Sequence, residues 1–382
     1  MREHKIKKNE DFDRKINRLV SLAIDGLEPL YDPEKKLFTH YILAGKQTPM
    51  PDSWVITYSA ITLLGLLKTR QADLDVHWFD ELEVMGALVQ SLEGQFKPGD
   101  LGLILWTDAK NDGKHSQVLL EEVKQQTRDG SISQMINSEL AWVLTGLSYS
   151  KLNDTQDNMV EELANIYYEA LKQNFHPETG LFSHMEHAKG RLNIRAQIGS
   201  FADQIYSIYA LSVYHQAFGW PESKAIALQC ADQIYQFQGF QGEWWWHYHA
   251  GKGMVASRYP VYATHQNGMG PMGLLKLSEI CERDFSAPIQ KSMQWLFGDN
   301  NLGAEMVEWE NNTIWRDIER KAPASYLRYL SFALAVAGLK RPIQCLESVR
   351  AFTINKEMRP YQLGWLLYAF ADQERHKDVK VK

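Results

Sequence analysis

The stretch His176-Pro177-Glu178-Thr179-Gly180-Leu181-Phe182-Ser183-His184 repeats, with changes, the earlier stretch Asp32-Pro33-Glu34-Lys35-Lys36-Leu37-Phe38-Thr39-His40. Each copy follows one helix-like pattern of apolar residues and precedes another. Looser copies occupy the corresponding place in later units, at 237–247 and 298–305. A repeated unit of helix, tip and helix predicts a protein built from helical hairpins.

The predicted helices alternate between two kinds. One kind is one-sided with a charged outer face: 11–29, 77–93, 157–174, 222–238, 285–297 and 341–354. The other kind is apolar nearly all round, as buried helices are: 53–69, 131–152, 200–217, 262–281, 324–338 and 358–373. Six outer-inner pairs can close into a double ring, which spares the chain the exposed ends of an open solenoid. The sequence therefore predicts an all-α fold, a single (α/α)6 barrel domain over residues 1–382.

Five of the apolar helices carry a small residue followed by Leu, at Gly65-Leu66, Gly146-Leu147, Ala210-Leu211, Gly273-Leu274 and Ala333-Leu334. Glycine within a helix costs about 1 kcal/mol relative to alanine. Its recurrence indicates close helix contacts in a crowded inner ring.

The connections predict where function lies. Those from an inner helix to the next outer helix are short, whereas those from outer to inner are long: 30–52, 94–130, 175–199, 239–261 and 298–323. All the long loops are then expected on one face, where the inner helices begin. Loops on a rigid scaffold commonly carry function, and helix N-termini favour anionic or polar ligands.

Composition narrows the classes of partner. The net charge is -6 without a long basic run, which argues against nucleic acid. No apolar run is long enough for a membrane span, and the N-terminus lacks the apolar segment of a secretory signal. Cys230, Cys281 and Cys345 fall within helical patterns without metal-ligand spacing. We expect reduced cysteines, a cytoplasmic location, no cofactor, and a small molecule or oligosaccharide as ligand.

This pattern of hairpins and aromatic tips resembles the six-hairpin toroid superfamily, which includes glycoside hydrolases, polysaccharide lyases and sugar epimerases. The resemblance implies a carbohydrate-active enzyme: a hydrolase, a lyase or an isomerase. Terpenoid cyclases and prenyl-binding proteins use a related toroid and form the first alternative, although the chain lacks their Asp-x-Asp-Asp and Asp-Asp-x-x-Asp motifs. A non-catalytic binding scaffold is the second alternative.

The stretch from Glu243 to Gln266 is the first candidate site. Tyr262 and His265 are three residues apart, so they face the same way on a helix, where they could exchange protons with a sugar carbon. Arg258 could neutralise a uronate carboxylate. Further binding residues are expected at Trp245, His247, Tyr248 and Gln266. His247 and His249 have alternate spacing, but no third metal ligand is evident. Tyr262 and His265 can equally be packing residues of the inner wall.

Asp203 and the 308–320 stretch supply the remaining candidates. Asp203 lies in an apolar segment with Gln204 beside it, so its carboxylate is either chemically used or satisfies a helix N-terminus. Asp203, Glu243, Asp317 and Glu319 could supply the carboxyl pair that glycoside hydrolysis requires. Trp315 could stack on a sugar ring. The alternating charges around Asp317 are also typical of a solvated surface.

Histidines are concentrated in the same regions. Eight of the 12 fall in the predicted long loops or at the starts of inner helices. They are His40, His115, His176, His184, His187, His247, His249 and His265. Clustering of titratable groups on one face is typical of an active site, although loops are also polar in general.

Overall fold

The structure is a computed structural model that describes residues 10–74, 76–94, 96–153, 158–185, 194–321, 334 and 351–372. In chain order its helices are α1 (Glu10–Leu27), α2 (Asp52–Gln71), α3 (Glu81–Gln90), α4 (Pro98–Asn111), α5 (Ser116–Arg128), α6 (Asn137–Leu152), α7 (Asn158–Lys172), α8 (Phe201–Phe218), α9 (Pro221–Gln236), α10 (Gly270–Ile280), α11 (Ser286–Leu296) and α12 (Pro360–Phe370). Apart from residue 334, which is helical, the predicted helix at 324–338 lies outside the described residues. Most of the predicted helix at 341–354 also lies outside them, and its described end is a strand instead.

The even-numbered helices form a closed inner ring. Each contacts the next, α2 to α4, α6, α8 and α10, and α12 contacts both α10 and α2. The odd-numbered helices pack outside their inner neighbours, and α1 packs against α12. The fold is therefore the predicted all-α toroid of six outer-inner hairpins, (α/α)6.

The prediction of a long loop at 94–130 is wrong. This segment contains inner helix α4 and outer helix α5. Helix α4 is buried along most of its length because it fills a place in the inner ring. Because α5 follows α4 at the opposite face, His115 lies there and is not among the residues of the long-loop face.

Glycines allow the inner helices to approach closely. A Cβ on Gly65 would lie 2.2 Å from the carbonyl oxygen of Gly364, and one on Gly146 would lie 3.0 Å from that of Gly102. Gly273 similarly contacts the side chain of Ile205. These contacts confirm the predicted crowding of the ring, while Ala333 lies outside the described residues.

Short strands occur only in the connections of the described chain. They are β1 (Tyr31–Asp32), β2 (Leu37–Phe38), β3 (His40–Leu43), β4 (Lys46–Pro49), β5 (Phe175–His176), β6 (Leu181–Phe182), β7 (Ile198–Ser200), β8 (His247–His249), β9 (Met254–Ser257), β10 (Val261–Tyr262), β11 (Val307–Glu308), β12 (Thr313–Ile314), β13 (Asp317–Arg320), β14 (Phe352–Asn355) and β15 (Glu357–Met358). The two tip copies form matching hairpins: Asp32 pairs with Leu37, and His176 pairs with Leu181.

Aromatic side chains fill the ring on the side away from the long loops. The rings of Trp106 and Trp365 are 5.6 Å apart, and the hydroxyl of Tyr209 is 2.6 Å from those of both Tyr149 and Tyr368. These side chains are buried, so this part of the ring interior is packed with aromatic rings. Among the described helices, we find none with the length and apolar character needed to cross a membrane.

Candidate active site

A three-stranded sheet forms one wall of the long-loop face. Strand β13 lies between β10 and β14, with Asp317 paired to Tyr262 on one side and to Asn355 on the other. Successive residues of a strand point to opposite faces. Val261 and Ile318, the next pair along, are buried in the apolar core. The row of Tyr262, Asp317 and Asn355 therefore faces away from that core.

These residues line a cavity of about 230 Å³. Its full lining is Tyr259, Pro260, Tyr262, Arg316, Asp317, Glu319, Arg320 and Asn355. Glu319 is on the same face of β13 as Asp317, because the two are two residues apart. The cavity thus brings together two carboxyl groups, two guanidinium groups and two phenol rings. Of the residues considered from the sequence, Tyr262, Asp317 and Glu319 lie here.

Asp317 has the most perturbed carboxyl group of this wall. It is only 2% exposed. Its Oδ2 accepts a hydrogen bond from Asn355 Nδ2 at 3.2 Å, whereas its Oδ1 is buried with no hydrogen-bond partner among the described residues. Burial raises the pKa of Asp317 to about 7, with the charges of Glu319 and Glu357 adding to the effect against the attraction of Arg316. Near neutral pH this carboxyl group can hold a proton and release it.

An arginine-carboxylate chain continues from Asp317 toward α2. Arg316 Nη1 is 2.9 Å from Glu357 Oε2, and Glu357 also pairs with Arg359. Arg359 Nη1 donates to the Tyr58 hydroxyl at 2.8 Å. The guanidinium of Arg359 also lies 3.8 Å from the ring centre of Trp54. Contacts to both carboxylate and aromatic groups fix the orientation of these arginines.

Tyr262 and His265 lie side by side, as predicted, although Tyr262 is on a strand and the helical backbone begins after it. Their ring centres are 5.0 Å apart, and Phe201 packs against His265 at 4.7 Å. Burial lowers the pKa of His265 to about 3 and raises that of Tyr262 well above its usual value. His265 is therefore neutral, and Tyr262 keeps its proton, at ordinary pH.

Asp203 is buried at the start of α8, where it satisfies neighbouring groups. Its Oδ2 accepts from Ser200 N at 2.7 Å and lies 2.9 Å from His184 Nδ1, and its Oδ1 accepts from Ser138 N at 3.2 Å. Burial raises the pKa of this carboxyl group, but the charges of His184 and Arg195 and the hydrogen bonds outweigh burial and lower it. This arrangement favours the helix-terminus interpretation of Asp203. Asp203 does not line the cavity described above.

Three other predicted residues, Glu243, Trp245 and Arg258, line a second cavity of about 450 Å³. The guanidinium of Arg258 lies 5.1 Å from the ring centre of Trp245. Burial raises the pKa of Glu243. The ring of Tyr259 belongs to the walls of both cavities.

The five remaining predicted residues contact backbone groups or pack against neighbouring side chains. Gln204 binds both the N-H and the carbonyl of Phe182 at 2.8 Å, and Gln266 accepts from Trp244 N at 3.3 Å. Tyr248 is buried against Phe237. His247 is a buried residue of β8, with its ring 4.1 Å from that of Trp246, and Trp315 is buried beneath Lys356. None of the five lines either cavity.

Of the eight histidines named above, His176 and His249 both lie next to Gly251. His187 lies outside the described residues, and His115 lies on the opposite face. Within the described part of the chain, no three His, Cys, Asp or Glu side chains are arranged as a metal site would need.

Arg316, Asn355, Glu357, Arg359, Trp54 and Tyr58 were not among the predicted site residues. A strand pattern was present in the sequence, because a charged, an apolar and a charged residue alternate at Asp317, Ile318 and Glu319. This pattern could have indicated that the two carboxylates lie on the same face of a strand. Nothing local, however, indicates that Asn355 pairs with Asp317, because 37 residues separate them in sequence.

Comparisons with known proteins support the fold. No family model matches the chain, and no curated protein matches it in sequence. Solved structures do match. An unsaturated glucuronyl hydrolase specific for heparin has a TM-score of 0.60 at 12% identity, over 98% of this chain and 100% of that chain.

Two further solved structures are similar over nearly the whole chain. A possible member of the GH105 family from Klebsiella pneumoniae has a TM-score of 0.61 at 12% identity, over 97% of this chain and 94% of that one. An inactive variant of an α-1,6-mannanase from Salegentibacter sp. HEL1_6, in complex with α-1,6-mannotetrose, has a TM-score of 0.57 at 12% identity, over 94% and 98%. At this identity the likeness shows a common toroid fold.

Proposed function

We propose that this protein is a carbohydrate-active hydrolase that cleaves a glycosidic bond next to an acidic sugar, with Asp317 as general acid and Glu319 as general base. The observation that carries the proposal is the wall of β13. There a buried, proton-holding carboxyl group and a second carboxylate line one cavity with two arginines. The similar structures, which include a glucuronyl hydrolase and a mannanase, add support for a saccharide ligand.

The spacing of the two carboxyl groups suits hydrolysis. Residues two apart on a strand are about 6.6 Å apart at their Cα atoms and point to the same face. The two side chains can therefore approach the carboxyl separations of about 5–9.5 Å that glycosidases use, of which the wider ones leave room for a water molecule. Asp317 would protonate the departing oxygen as the bond to the anomeric carbon breaks. Glu319 would accept a proton from the water whose oxygen forms the new bond.

Charge favours an acidic sugar. Arg316 and Arg320 line the cavity with Glu319, and Asp317 is neutral in its proton-donating form. The lining then has one net positive charge, which favours a ligand carboxylate. The orientation of Arg316 is fixed by Glu357 at 2.9 Å.

The same observations weigh against the other candidate functions. His265, the residue predicted to move protons in a lyase or epimerase, has a pKa of about 3, far below the working pH that such a base needs. A terpenoid funnel needs an aromatic, carboxylate-poor cavity, whereas this one is polar. A passive scaffold gives no reason for a carboxyl group with a pKa near 7 inside a cavity.

A hydrolysis screen tests the proposal. The substrates are unsaturated and saturated uronyl disaccharides and α-1,6-mannooligosaccharides, with release of reducing sugar as the readout. We expect turnover of the uronyl substrates that is lost in both Asp317→Asn and Glu319→Gln and kept in Glu310→Gln, a change at an exposed carboxylate. Turnover that survives Asp317→Asn, or cleavage of mannan alone, would contradict it.

The mannanase variant indicates which substrates this chain is expected to cleave poorly. Its inactive variant replaces two consecutive aspartates, and this chain has no two consecutive aspartates. The pair of Asp317 and Glu319, on alternate positions of a strand, is therefore a different arrangement, and we expect mannan oligosaccharides to be poor substrates.

A further inference from the structure

The second cavity lies beside the first one, because Tyr259 lines both. It is lined by the end of α9 and the loop after it, with Gln238, Phe240, Trp245 and Arg258 among its residues. Ligand pockets usually have volumes of about 300–1,000 Å³. The first cavity, at about 230 Å³, is smaller than this range, and the second, at about 450 Å³, is within it. The two together suit a ligand longer than one sugar ring.

Phe240 stands at the rim of the second cavity and is 94% exposed. An exposed aromatic ring at the rim of a cavity can contact a ligand that enters the cavity. Its position is set by a tight turn: Gly242 N donates to Gly239 O at 3.0 Å, and Gly239 N donates to Glu243 O at 2.9 Å. Gly242 has a φ of +96°, which only glycine adopts without strain. The turn therefore fixes the backbone of Phe240 at the rim of the cavity.

The interior of this cavity carries groups that sugars bind. Gln238 Oε1 is buried with no hydrogen-bond partner in the described chain, although its Nε2 donates to Gly242 O and Pro288 O. It can accept from a hydroxyl group. The aromatic faces of Trp245 and Phe240 can pack against the C-H face of a pyranose ring.

We propose that the second cavity is a subsite for a further pyranose ring of an oligosaccharide, with Phe240 as its stacking surface. The inference rests on the proposed function, because it assigns the part of the substrate beyond the bond cleaved at Asp317. It predicts that the protein acts on chains longer than a disaccharide.

The test compares kcat/KM for a uronyl disaccharide and a tetrasaccharide of the same linkage. We expect the tetrasaccharide to be preferred at least fivefold. In Phe240→Ala we expect the ratio of kcat/KM for the tetrasaccharide to kcat/KM for the disaccharide to fall to near one, because only the tetrasaccharide reaches Phe240. Trp220→Ala is the matched control, because Trp220 is also an exposed aromatic residue but precedes α9 on the opposite face. It keeps the wild-type ratio.

Two outcomes separate this inference from the proposed function. Cleavage of both substrates at equal kcat/KM by the wild type overturns the subsite and leaves the hydrolase. If neither is cleaved, the proposed hydrolase is overturned, and calorimetric titration of the tetrasaccharide decides the subsite. Tetrasaccharide binding at least fivefold tighter than disaccharide binding, and weakened in Phe240→Ala, supports it, whereas equal binding overturns it.

Discussion

Tyr262 and Asp317 are directly opposite each other on adjacent antiparallel strands, and both line the same cavity. This pairing places a phenol that keeps its proton beside a carboxyl group whose proton is exchangeable near neutral pH. The proposed hydrolysis needs such a difference, because Asp317 must donate a proton in the step that breaks the bond while the phenol beside it stays protonated.

The first prediction concerns activity against pH. In the proposed mechanism the acid form of Asp317 is the active one, and burial raises the pKa of Asp317 to about 7. We expect kcat/KM to fall as pH rises through about 7, tenfold for each further pH unit. Measurement from pH 5 to pH 9 on a uronyl disaccharide checks this. A flat profile between pH 6 and pH 9 would show that Asp317 is not the acid.

The second prediction concerns stability against pH. The pKa of Asp317 is higher in the folded state than in the unfolded chain, so the folded state binds the proton more tightly. The contribution of Asp317 to the free energy of unfolding is fully present below about pH 4. It is lost as the pH rises through about 7, and the total loss is at most about 4 kcal/mol. Asp317→Asn cannot ionise, so we expect it to unfold at higher urea concentration than the wild type at pH 8.

The difference between variant and wild type should shrink toward pH 4, which separates it from a general packing effect. Urea titrations at pH 4, 6 and 8 measure it. A destabilisation of Asp317→Asn that is the same at all three pH values would contradict ionisation of Asp317 as the cause.

The third prediction concerns Glu357, which holds two arginines. Its carboxylate pairs with both Arg316 and Arg359, and it is mostly buried. Removing one partner of a buried ion pair leaves the other charge uncompensated and typically costs about 3–5 kcal/mol. We expect Glu357→Gln to lower the free energy of unfolding by about this amount. The cost is smaller where solvent reaches the two arginines and screens their charge. Glu310→Gln, at an exposed site, serves as the control and should change it by less than about 0.5 kcal/mol.

The same substitution should also affect substrate binding. Without Glu357, Arg316 loses the partner that orients it in the cavity. We expect a higher KM for uronyl substrates and a smaller effect on kcat. An unchanged KM would show that Arg316 is positioned by other contacts.

The helical hairpins could be predicted because their pattern repeats and each helix has a local apolar period. Helices α4 and α5 were missed. The start of α4 contains Pro98, Gly99 and Gly102, which resemble a loop. In the folded protein Pro98 takes the first turn, where it is tolerated. Gly102 is needed because a Cβ there would lie 2.5 Å from Val143 N. This requirement comes from a partner helix and is not visible locally.

The candidate site was predicted less completely for a similar reason. Its tyrosine and both of its carboxylates lie in stretches that stood out for aromatic and charged residues. The row of Tyr262, Asp317 and Asn355 depends on strand pairing between segments 55 and 38 residues apart, which the ring brings together. The pKa of Asp317 is raised because the residue is buried. The alternating charges around Asp317 in the sequence are typical of an exposed segment, so they do not predict this burial.

The last prediction tests the closed inner ring itself with two glycines. A Cβ on Gly65 would meet the backbone of Gly364 at 2.2 Å, where neither helix can yield, whereas a Cβ on Gly86 in α3 meets nothing within 4 Å. Both residues are helical, so alanine brings the same intrinsic gain of about 0.5–1 kcal/mol at each. We expect Gly86→Ala to raise the urea midpoint slightly. Gly65→Ala should lower it by the equivalent of about 3 kcal/mol or more, because overpacking forces α2 and α12 apart. Similar midpoints for the two variants would show that α2 and α12 do not meet at Gly65 and that the ring does not close there.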